Sequence, residues 1–273
     1  MTEYNCPDAS ARPVSAKERL TENRTLFSVC TLVTRPDQYE EMLSSYASHG
    51  FSGPGCEFLY LDNSNGNEFD AFAGYNIFLS TARGRYIILC HQDILFLDDD
   101  RWVLERRLAE LDRTDPHWAL CGNAGGAPIG RRYARISDPH GTDQARGPFP
   151  AKVSSLDENF IVVRRDANLG VSRDLQGFHL YGTDLCLVAD LLGRSAWVID
   201  FHLRHKGAGV TSDDFFQVRD QLIAKYHRAY RSRWITTTCT HLVLSGLPLL
   251  RYVLPLQAVR KLRELRRSRV KAE

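Results

Sequence analysis

Three short apolar segments, each followed by a segment with helical periodicity, constrain the fold of this chain more than any other feature. The apolar segments are 26–33, 56–61 and 85–90. Pro36 suits the start of the first helical segment, and Gly50 suits a left-handed residue after its end. Strands that alternate with helices predict βαβ units. The sequence therefore predicts an α/β fold with a mostly parallel, Rossmann-like sheet flanked by helices.

The second half of the chain continues this pattern after an interruption. Residues 124–150 are rich in Gly, Pro and Arg and show no periodicity, which predicts a long loop that closes over a bound ligand as a lid. Further strands are predicted at 118–121, 160–163 and 196–201, and helices over 184–192 and around 215–226. We expect a polar tail over 1–25, one domain over 26–235 and a basic amphipathic segment over 236–273.

Composition narrows the range of functions and partners. The formal net charge is +2, so no global field favours nucleic acid. The 7 cysteines are scattered without a CxxC pair, which predicts a reducing, cytoplasmic environment. The longest apolar stretch, 242–256, is interrupted by Pro248, Arg251 and Pro255 and falls short of the ~20 residues of a spanning helix. The basic segment after it predicts either a peripheral contact with an anionic membrane or a helix packed on the domain.

Polar residues follow each of the first three predicted strands. They are Thr34 and Arg35, then Asp62, then the run His91-Gln92-Asp93. In an open α/β sheet, ligands bind beyond the carboxyl ends of the strands. The chain has no GxGxxG or GxxxxGK[ST] motif, which removes the main support for a dinucleotide site or a P-loop.

His91 and Asp93 lie between apolar runs, where an unpartnered imidazole or carboxylate is costly. A divalent cation is one possible partner, and an imidazole beside a carboxylate suits Mn²⁺ better than Mg²⁺. The alternative is that both side chains only cap a loop by hydrogen bonding.

The segment from Phe27 to Asp93 resembles the nucleotide-binding half of a family 2 glycosyltransferase, whose fold is GT-A. The resemblance rests on YLDNS at 60–64, ARGRY at 82–86 and HQD at 91–93, the last in place of the metal-binding DxD. In the second half, LDENFIVVRR at 156–165 and FHLYGTDL at 178–185 resemble the segments on the sugar and acceptor side. Together these matches span roughly 26–230.

The resemblance implies a set of site residues. His205 would complete a shell for Mn²⁺ or Mg²⁺ with His91 and Asp93, and His202 is the second choice. Asp184 would be the catalytic base; its alternative role is to cap the following helix. The expected donor contacts are Thr31, Val33, Asp62, Asn63, Asn76, Gln92 and Lys206. The expected sugar or acceptor contacts are Asp157, Glu158, His179 and Tyr181.

The expected function is metal-assisted transfer of a sugar from a nucleotide diphosphate donor, UDP-linked, to a glycan or lipid-linked acceptor, with inversion. Such a reaction belongs to polysaccharide biosynthesis. Two alternatives stay open at this point. One is a non-catalytic protein that binds nucleotide sugars. The other is a metal-dependent hydrolase that uses His91, Asp93, His179 and His205.

Overall fold

The computed structural model describes residues 25–209 and 212–247, which form two compact units divided after residue 211. The predicted tail over 1–25, except its last residue, and most of the predicted basic amphipathic segment over 236–273 lie outside the described residues. The described part of the first unit contains four α-helices: α1 (Pro36–Ser48), α2 (Ala71–Thr81), α3 (Arg101–Thr114) and α4 (Tyr181–Leu191).

Thirteen strands of the first unit build two sheets. The strands are β1 (Phe27–Val33), β2 (Cys56–Asp62), β3 (Tyr86–Cys90), β4 (Ile94–Phe96), β5 (Trp118–Gly122), β6 (Ala124–Ala127), β7 (Arg131–Asp138), β8 (Gly141–Arg146), β9 (Ala151–Val153), β10 (Ser155–Leu156), β11 (Phe160–Arg164), β12 (Ser195–Val198) and β13 (Leu203–His205). The larger sheet has the order β2-β1-β3-β11-β5-β12-β9. The smaller sheet has the order β10-β6-β7-β13-β4, with β8 beside β7.

Helices cover both faces of the larger sheet, because alternate side chains of a strand point to opposite sides. On one face, buried residues of α1 and α3 such as Met42 and Leu104 share a core with Ile88 of β3 and Phe160 of β11. On the other face, α2 approaches β1 closely, since a Cβ on Gly74 would lie 2.6 Å from a methyl carbon of Leu32. Helix α4 packs on this second face as well and joins α2 through their tyrosine rings.

The α/β class is confirmed, and the main helices and strands lie where periodicity predicted them. The larger sheet is mixed, because β11 and β9 run antiparallel to their neighbours while β2, β1 and β3 are parallel to one another. In α2, Tyr75 and Phe78 are buried, whereas Ile77 is 39% exposed. The expected loop over 124–150 was wrong, because β6, β7 and β8 pair there into antiparallel ribbons.

The second unit begins at Ser212. Its described part contains α5 (Asp213–Tyr230) and a hairpin of β14 (Arg233–Thr236) and β15 (His241–Leu244). Val218, Leu222 and Tyr226 are the buried side chains of α5, as its periodicity predicted. Among the described residues, no helix combines the length and the apolar character that crossing a membrane requires.

Gly84 allows the chain that enters β3 to approach the start of β1. Its amide donates to Ser28 Oγ at 2.7 Å, and a Cβ there would lie 2.6 Å from Ser28 N and 2.8 Å from Phe27 C. We expect Gly84→Ala to lower the free energy of unfolding by about 1–3 kcal/mol, because backbone atoms must move to admit the methyl group. Denaturant unfolding followed by circular dichroism measures this loss.

Gly55→Ala is the matched control. The nearest atom to its Cβ would be Arg101 Nη2 at 3.2 Å, the end of a flexible side chain that can move away. Equal stabilities for the two variants would contradict the close approach at Gly84.

Candidate active site

The ends of β1, β2 and β3 meet at one edge of the larger sheet, because these strands are parallel. His91, Gln92 and Asp93 leave this edge directly after β3. Gln92 fixes the run to the end of β1: its Oε1 accepts the amides of Thr34 and Arg35, both at 2.8 Å, and its Nε2 donates to Thr34 Oγ1 at 2.8 Å. Gln92 therefore holds the loop, so the amide is already occupied at the position where a donor contact was predicted.

Strand pairing brings His205 to Asp93. β13 ends at His205 and lies antiparallel to β4, with His205 opposite Ile94, the residue after Asp93. His205 Nε2 lies 3.4 Å from Asp93 Oδ1 and 3.3 Å from His91 Nδ1. These three side chains form one group that is partly buried, with 14% of the Asp93 and His205 side chains exposed.

The spacing of this group fits a divalent cation. Ligand bonds near 2.1 Å, at angles between octahedral and tetrahedral values, separate two ligand atoms by about 3.0–3.4 Å. The two shortest separations, 3.3 and 3.4 Å, lie in that range. The group combines two imidazoles and one carboxylate, which is a set typical of transition-metal ions such as Mn²⁺. The metal ligands predicted from the sequence are thus the residues that the fold brings together.

Gly207 is a part of the site that sequence reasoning missed. Its amide donates to Asp93 Oδ2 at 2.8 Å, and the other carboxylate oxygen, Oδ1, is the one that faces His205. A Cβ at Gly207 would lie 2.9 Å from Asp93 Oδ2 and 3.3 Å from His205 Nε2. A residue with a side chain would therefore push against two of the three candidate ligands. The sequence feature that could have indicated Gly207 is the run His205-Lys206-Gly207, in which it follows a candidate metal ligand.

The environment sets the protonation of the three groups. Burial lowers the pKa of His91 to about 4, with the nearby His205 acting in the same direction. For His205, burial opposes protonation, but the hydrogen bond and charge of Asp93 outweigh it, and its pKa is raised. Burial also works against ionisation of Asp93, yet the contact with His205 holds its pKa below the ordinary value. A proton taken up by this group therefore binds His205 in preference to His91.

Several predicted donor contacts have other roles in the structure. Thr31 is fully buried with its hydroxyl 3.4 Å from Cys90 Sγ, and the Val33 side chain is 3% exposed. Asn63 is 3% exposed and bridges its own loop, donating to Phe69 O at 2.8 Å and accepting from Phe69 N at 3.1 Å. The side chains of these three residues are thus directed to the core or already bonded within the protein, and their contact with a donor stays a prediction.

Three other predicted donor residues are more accessible. Asp62 is exposed at the same sheet edge, and its Oδ1 accepts from Ser64 N and Oγ, which lowers its pKa. Asn76 is partly buried on α2 and donates to Val171 O at 2.9 Å. Lys206 is paired with Glu41 at 2.5 Å.

Asp184 does not cap α4, since the helix begins three residues earlier at Tyr181. Its side chain is fully buried, and its two oxygens accept from Ser172 N and Ser172 Oγ, both at 2.7 Å. A catalytic base must reach the hydroxyl that loses its proton. The structure places Asp184 where it holds the segment around Ser172 to α4, so the predicted role as base has no geometric support.

Tyr181 is also displaced from its predicted role. The side chain is 1% exposed, so it does not contact a sugar or an acceptor directly. Its hydroxyl lies 3.2 Å from His91 Nε2 and donates to Glu158 O at 3.0 Å. In the structure, Tyr181 therefore contacts a candidate metal ligand.

The remaining predicted residues surround this group. Burial and the neighbouring Asp157 raise the pKa of Glu158 to about 8, and Glu158 Oε1 accepts from Gly182 N at 3.3 Å. Asp157 is exposed and accepts from Asn159 N at 3.0 Å. His179 is partly exposed, and its charge contributes to lowering the pKa of His91. His202, the second choice for a metal ligand, is buried on Ser137 Oγ at 2.9 Å, outside the group.

A cavity of about 410 Å³ opens beside His205. Its lining also includes Arg204, Lys206, Asp138 and Pro139. Of the three candidate metal ligands, His205 borders this cavity.

Comparison with solved structures identifies the fold as GT-A. GalNAc-T7 with UDP, GalNAc and Mn²⁺ is similar at a TM-score of 0.52 and 11% identity, over 74% of this chain and 48% of that chain. S. aureus TarS 1-349 in complex with UDP-GlcNAc is similar at a TM-score of 0.50 and 14% identity, over 74% of this chain and 66% of that chain. At these identities the likeness shows the fold alone. The predicted fold is confirmed.

One curated relative is much closer in sequence. The protein "ATP synthase subunits region ORF 6" of Fuscovulum blasticum is 37% identical over 231 residues, which cover 82% of this chain and 93% of the relative. No protein-family model matches the chain.

The raised pKa of His205 predicts that cation binding depends on pH. Below that pKa a cation must displace the His205 proton, whereas His91 is already neutral above about pH 4. We expect the affinity for Mn²⁺ to rise as the pH approaches the raised pKa of His205 and to level off once His205 is deprotonated. Isothermal titration in two buffers with different ionisation enthalpies measures the affinity and the release of about one proton at the lower pH. An affinity that is constant over this range would contradict the assignment of His205.

Proposed function

The chain belongs to the family of the ORF 6 protein of Fuscovulum blasticum, and we propose that it is a glycosyltransferase that uses a nucleoside diphosphate sugar. The observation that carries the proposal is the group of His91, Asp93 and His205 at the carboxyl edge of a GT-A sheet. In the proposed reaction, a hydroxyl of a glycan or lipid-linked acceptor attacks the anomeric carbon directly, and the nucleoside diphosphate leaves.

The candidate ligands suit the leaving group of this reaction. A nucleoside diphosphate gathers negative charge as the bond to the sugar breaks, and a bound Mn²⁺ or Mg²⁺ supplies Lewis-acid stabilisation of that charge. Asp93 is the only carboxylate of the group and is held ionised by His205. Two neighbours in fold, GalNAc-T7 and TarS, were solved with UDP or UDP-GlcNAc, which supports a uridine donor.

The donor would lie along the ends of β1 and β2. Asp62 is exposed and anionic there, and Ser64 fixes its carboxylate through Oδ1 alone. Asp62 Oδ2 is therefore oriented to accept a hydrogen bond from a ribose hydroxyl or a base. Lys206 follows His205 directly and is paired with Glu41. When a donor binds, its ammonium group would leave Glu41 for the diphosphate, which carries more negative charge than one carboxylate.

Glu158 is better placed than Asp184 to accept the proton of the acceptor hydroxyl. It is only partly buried, whereas Asp184 is fully buried with both oxygens bonded to Ser172. The pKa of Glu158 is raised to about 8, and a carboxyl group with a pKa nearer to neutral pH exchanges protons more effectively. Glu158 also lies near the candidate metal ligands, since its backbone carbonyl accepts a hydrogen bond from Tyr181, whose hydroxyl contacts His91.

The most direct test of the proposed function is at the candidate metal ligands. We expect UDP with Mn²⁺ to raise the melting temperature of the wild type, and Asp93→Ala to lose this increase, because the cation that links protein and diphosphate is no longer held. A thermal-shift assay over a panel of nucleotides and nucleotide sugars, with Mn²⁺ or a chelator, measures the effect. Asp98→Ala, an exposed carboxylate on the same segment, is the control and should behave as wild type.

An increase that persists in Asp93→Ala would contradict the metal assignment. Donor binding without transfer to any acceptor would favour the non-catalytic alternative, and metal-dependent turnover without a nucleotide would favour a hydrolase.

The two carboxylates on or beside α4 are distinguished by pH dependence. If Glu158 is the base, the rate of transfer rises with pH up to about 8, because only the ionised form accepts a proton. A bound cation nearby shifts this limb to lower pH. We expect Glu158→Gln to lose transfer and keep donor binding, and Asp184→Asn to lower the melting temperature through the weakened contact with Ser172. Initial rates of transfer measured across pH distinguish these outcomes. Full activity of Glu158→Gln would show that Glu158 is not the catalytic base.

A further inference from the structure

We propose that Tyr181 is a positioning residue that holds His91 as the tautomer protonated on Nε2, so that Nδ1 presents a lone pair to the cation. The assignment of the tautomer rests on hydrogen bonds of the metal-free protein. Only its consequence for cation binding rests on the proposed function.

The Tyr181 hydroxyl has three polar neighbours. His91 Nε2 lies at 3.2 Å, Tyr75 Oη at 3.2 Å and the backbone oxygen of Glu158 at 3.0 Å. Tyr181 is 1% and Tyr75 2% exposed, and their ring centroids are 4.5 Å apart. Water therefore has little access to these contacts, and the protein groups must satisfy one another.

Counting protons decides the direction of each bond. A phenol has one proton to donate, and a backbone carbonyl can only accept, so the Tyr181 proton points to Glu158 O. The other two neighbours must then donate to the Tyr181 oxygen. Tyr75 does so through its hydroxyl, and His91 does so through Nε2–H. A neutral imidazole has one N–H, so His91 Nδ1 is left without a proton.

The unprotonated Nδ1 faces the candidate cation site. It lies 3.3 Å from His205 Nε2, the atom that also contacts Asp93 Oδ1. The backbone amide of His91 donates to Asn159 O at 3.0 Å, so the main chain of His91 is fixed as well. Tyr181 thus controls the part of His91 that the backbone does not: the ring orientation and the proton. A ligand histidine usually gains both from a partner on its second nitrogen.

The opposite arrangement makes a different prediction. If Tyr181 donated to His91 Nε2, the proton of His91 would lie on Nδ1 and point at the cation site. The carbonyl of Glu158 would also lose the buried donor that Tyr181 provides. Nuclear magnetic resonance separates the two arrangements.

The first experiment observes the tautomer without metal. Long-range ¹H–¹⁵N correlation spectra of the metal-free protein, with His91 identified by its loss in His91→Gln, distinguish protonated from unprotonated ring nitrogens. We expect Nε2 to be protonated and Nδ1 unprotonated, and we expect Tyr181→Phe to give the averaged shifts of exchanging tautomers. A proton on Nδ1, or averaged shifts in the wild type, would overturn the proposal.

The second experiment measures affinity for MnCl₂ by isothermal titration. We expect Tyr181→Phe to weaken binding by about 10- to 100-fold, the range found when the partner of a ligand histidine is removed. Tyr75→Phe is the matched control: it also removes a buried phenol hydroxyl beside α4, but it leaves the Tyr181 bond to His91 intact. Its affinity should stay near that of the wild type.

The outcomes separate this proposal from the proposed function. No Mn²⁺ binding by the wild type would count against the proposed function, while the spectra would still test the tautomer. Binding by the wild type that Tyr181→Phe leaves unchanged, or that both variants weaken equally, would overturn the positioning role.

Discussion

The antiparallel pairing of β13 with β4 is the constraint on which the candidate site depends. It places His205 opposite Ile94, and therefore beside Asp93, although the two residues belong to distant parts of the chain. Lys206 N donates to Asp93 O and Gly207 N to Asp93 Oδ2, which extends the pairing by two residues. A cation bound here would bridge the end of β3 and the end of β13, so its binding would stabilise the smaller sheet as well as the site.

The group of His91, Asp93 and His205 carries less negative charge than a DxD motif, which supplies two aspartates. The group holds one carboxylate and two imidazoles, and His91 remains neutral because burial disfavours its protonated form. With one negative charge instead of two, the site attracts a cation less by charge and more through the donor strength of its nitrogens. This difference favours Mn²⁺ over Mg²⁺, which prefers oxygen ligands and keeps several of its waters.

Much of the fold and part of the site could be predicted from the sequence. The leucines of α3 repeat at helical spacing and are buried as predicted, because only one face of this helix meets the core. The face of α2 could not be read in this way, since its residues are apolar nearly all around: Ala73 and Ile77 are exposed, while Tyr75 is buried against Tyr181. The strands β7 and β8 were missed because their residues are largely polar and few of them are buried, which leaves no alternation to detect.

In the site, the predictions that depended on strand ends agree with the placement of residues, and those that depended on side-chain direction do not. His91 and Asp93 could be found because polar residues after a buried strand must reach the sheet edge. Thr31 belongs to β1 itself, so its direction is set by the register of the strand, and it faces Met42 and Cys90. Asp184 is buried because α4 contacts the segment at Ser172, and no local sequence pattern predicts this contact.

A histidine in place of a ligand aspartate requires support that reaches beyond the metal group. A carboxylate presents lone pairs in every orientation, whereas an imidazole presents one only if its other nitrogen carries the proton. That proton needs a buried acceptor, and here the acceptor lies on α4. The helix can approach closely enough because Gly182 has no side chain: a Cβ there would lie 2.7 Å from Leu156 O and 3.0 Å from Ile161 Cδ1. The Tyr-Gly pair at 181–182 and His91 therefore form one functional unit, although 90 positions separate the tyrosine from the histidine.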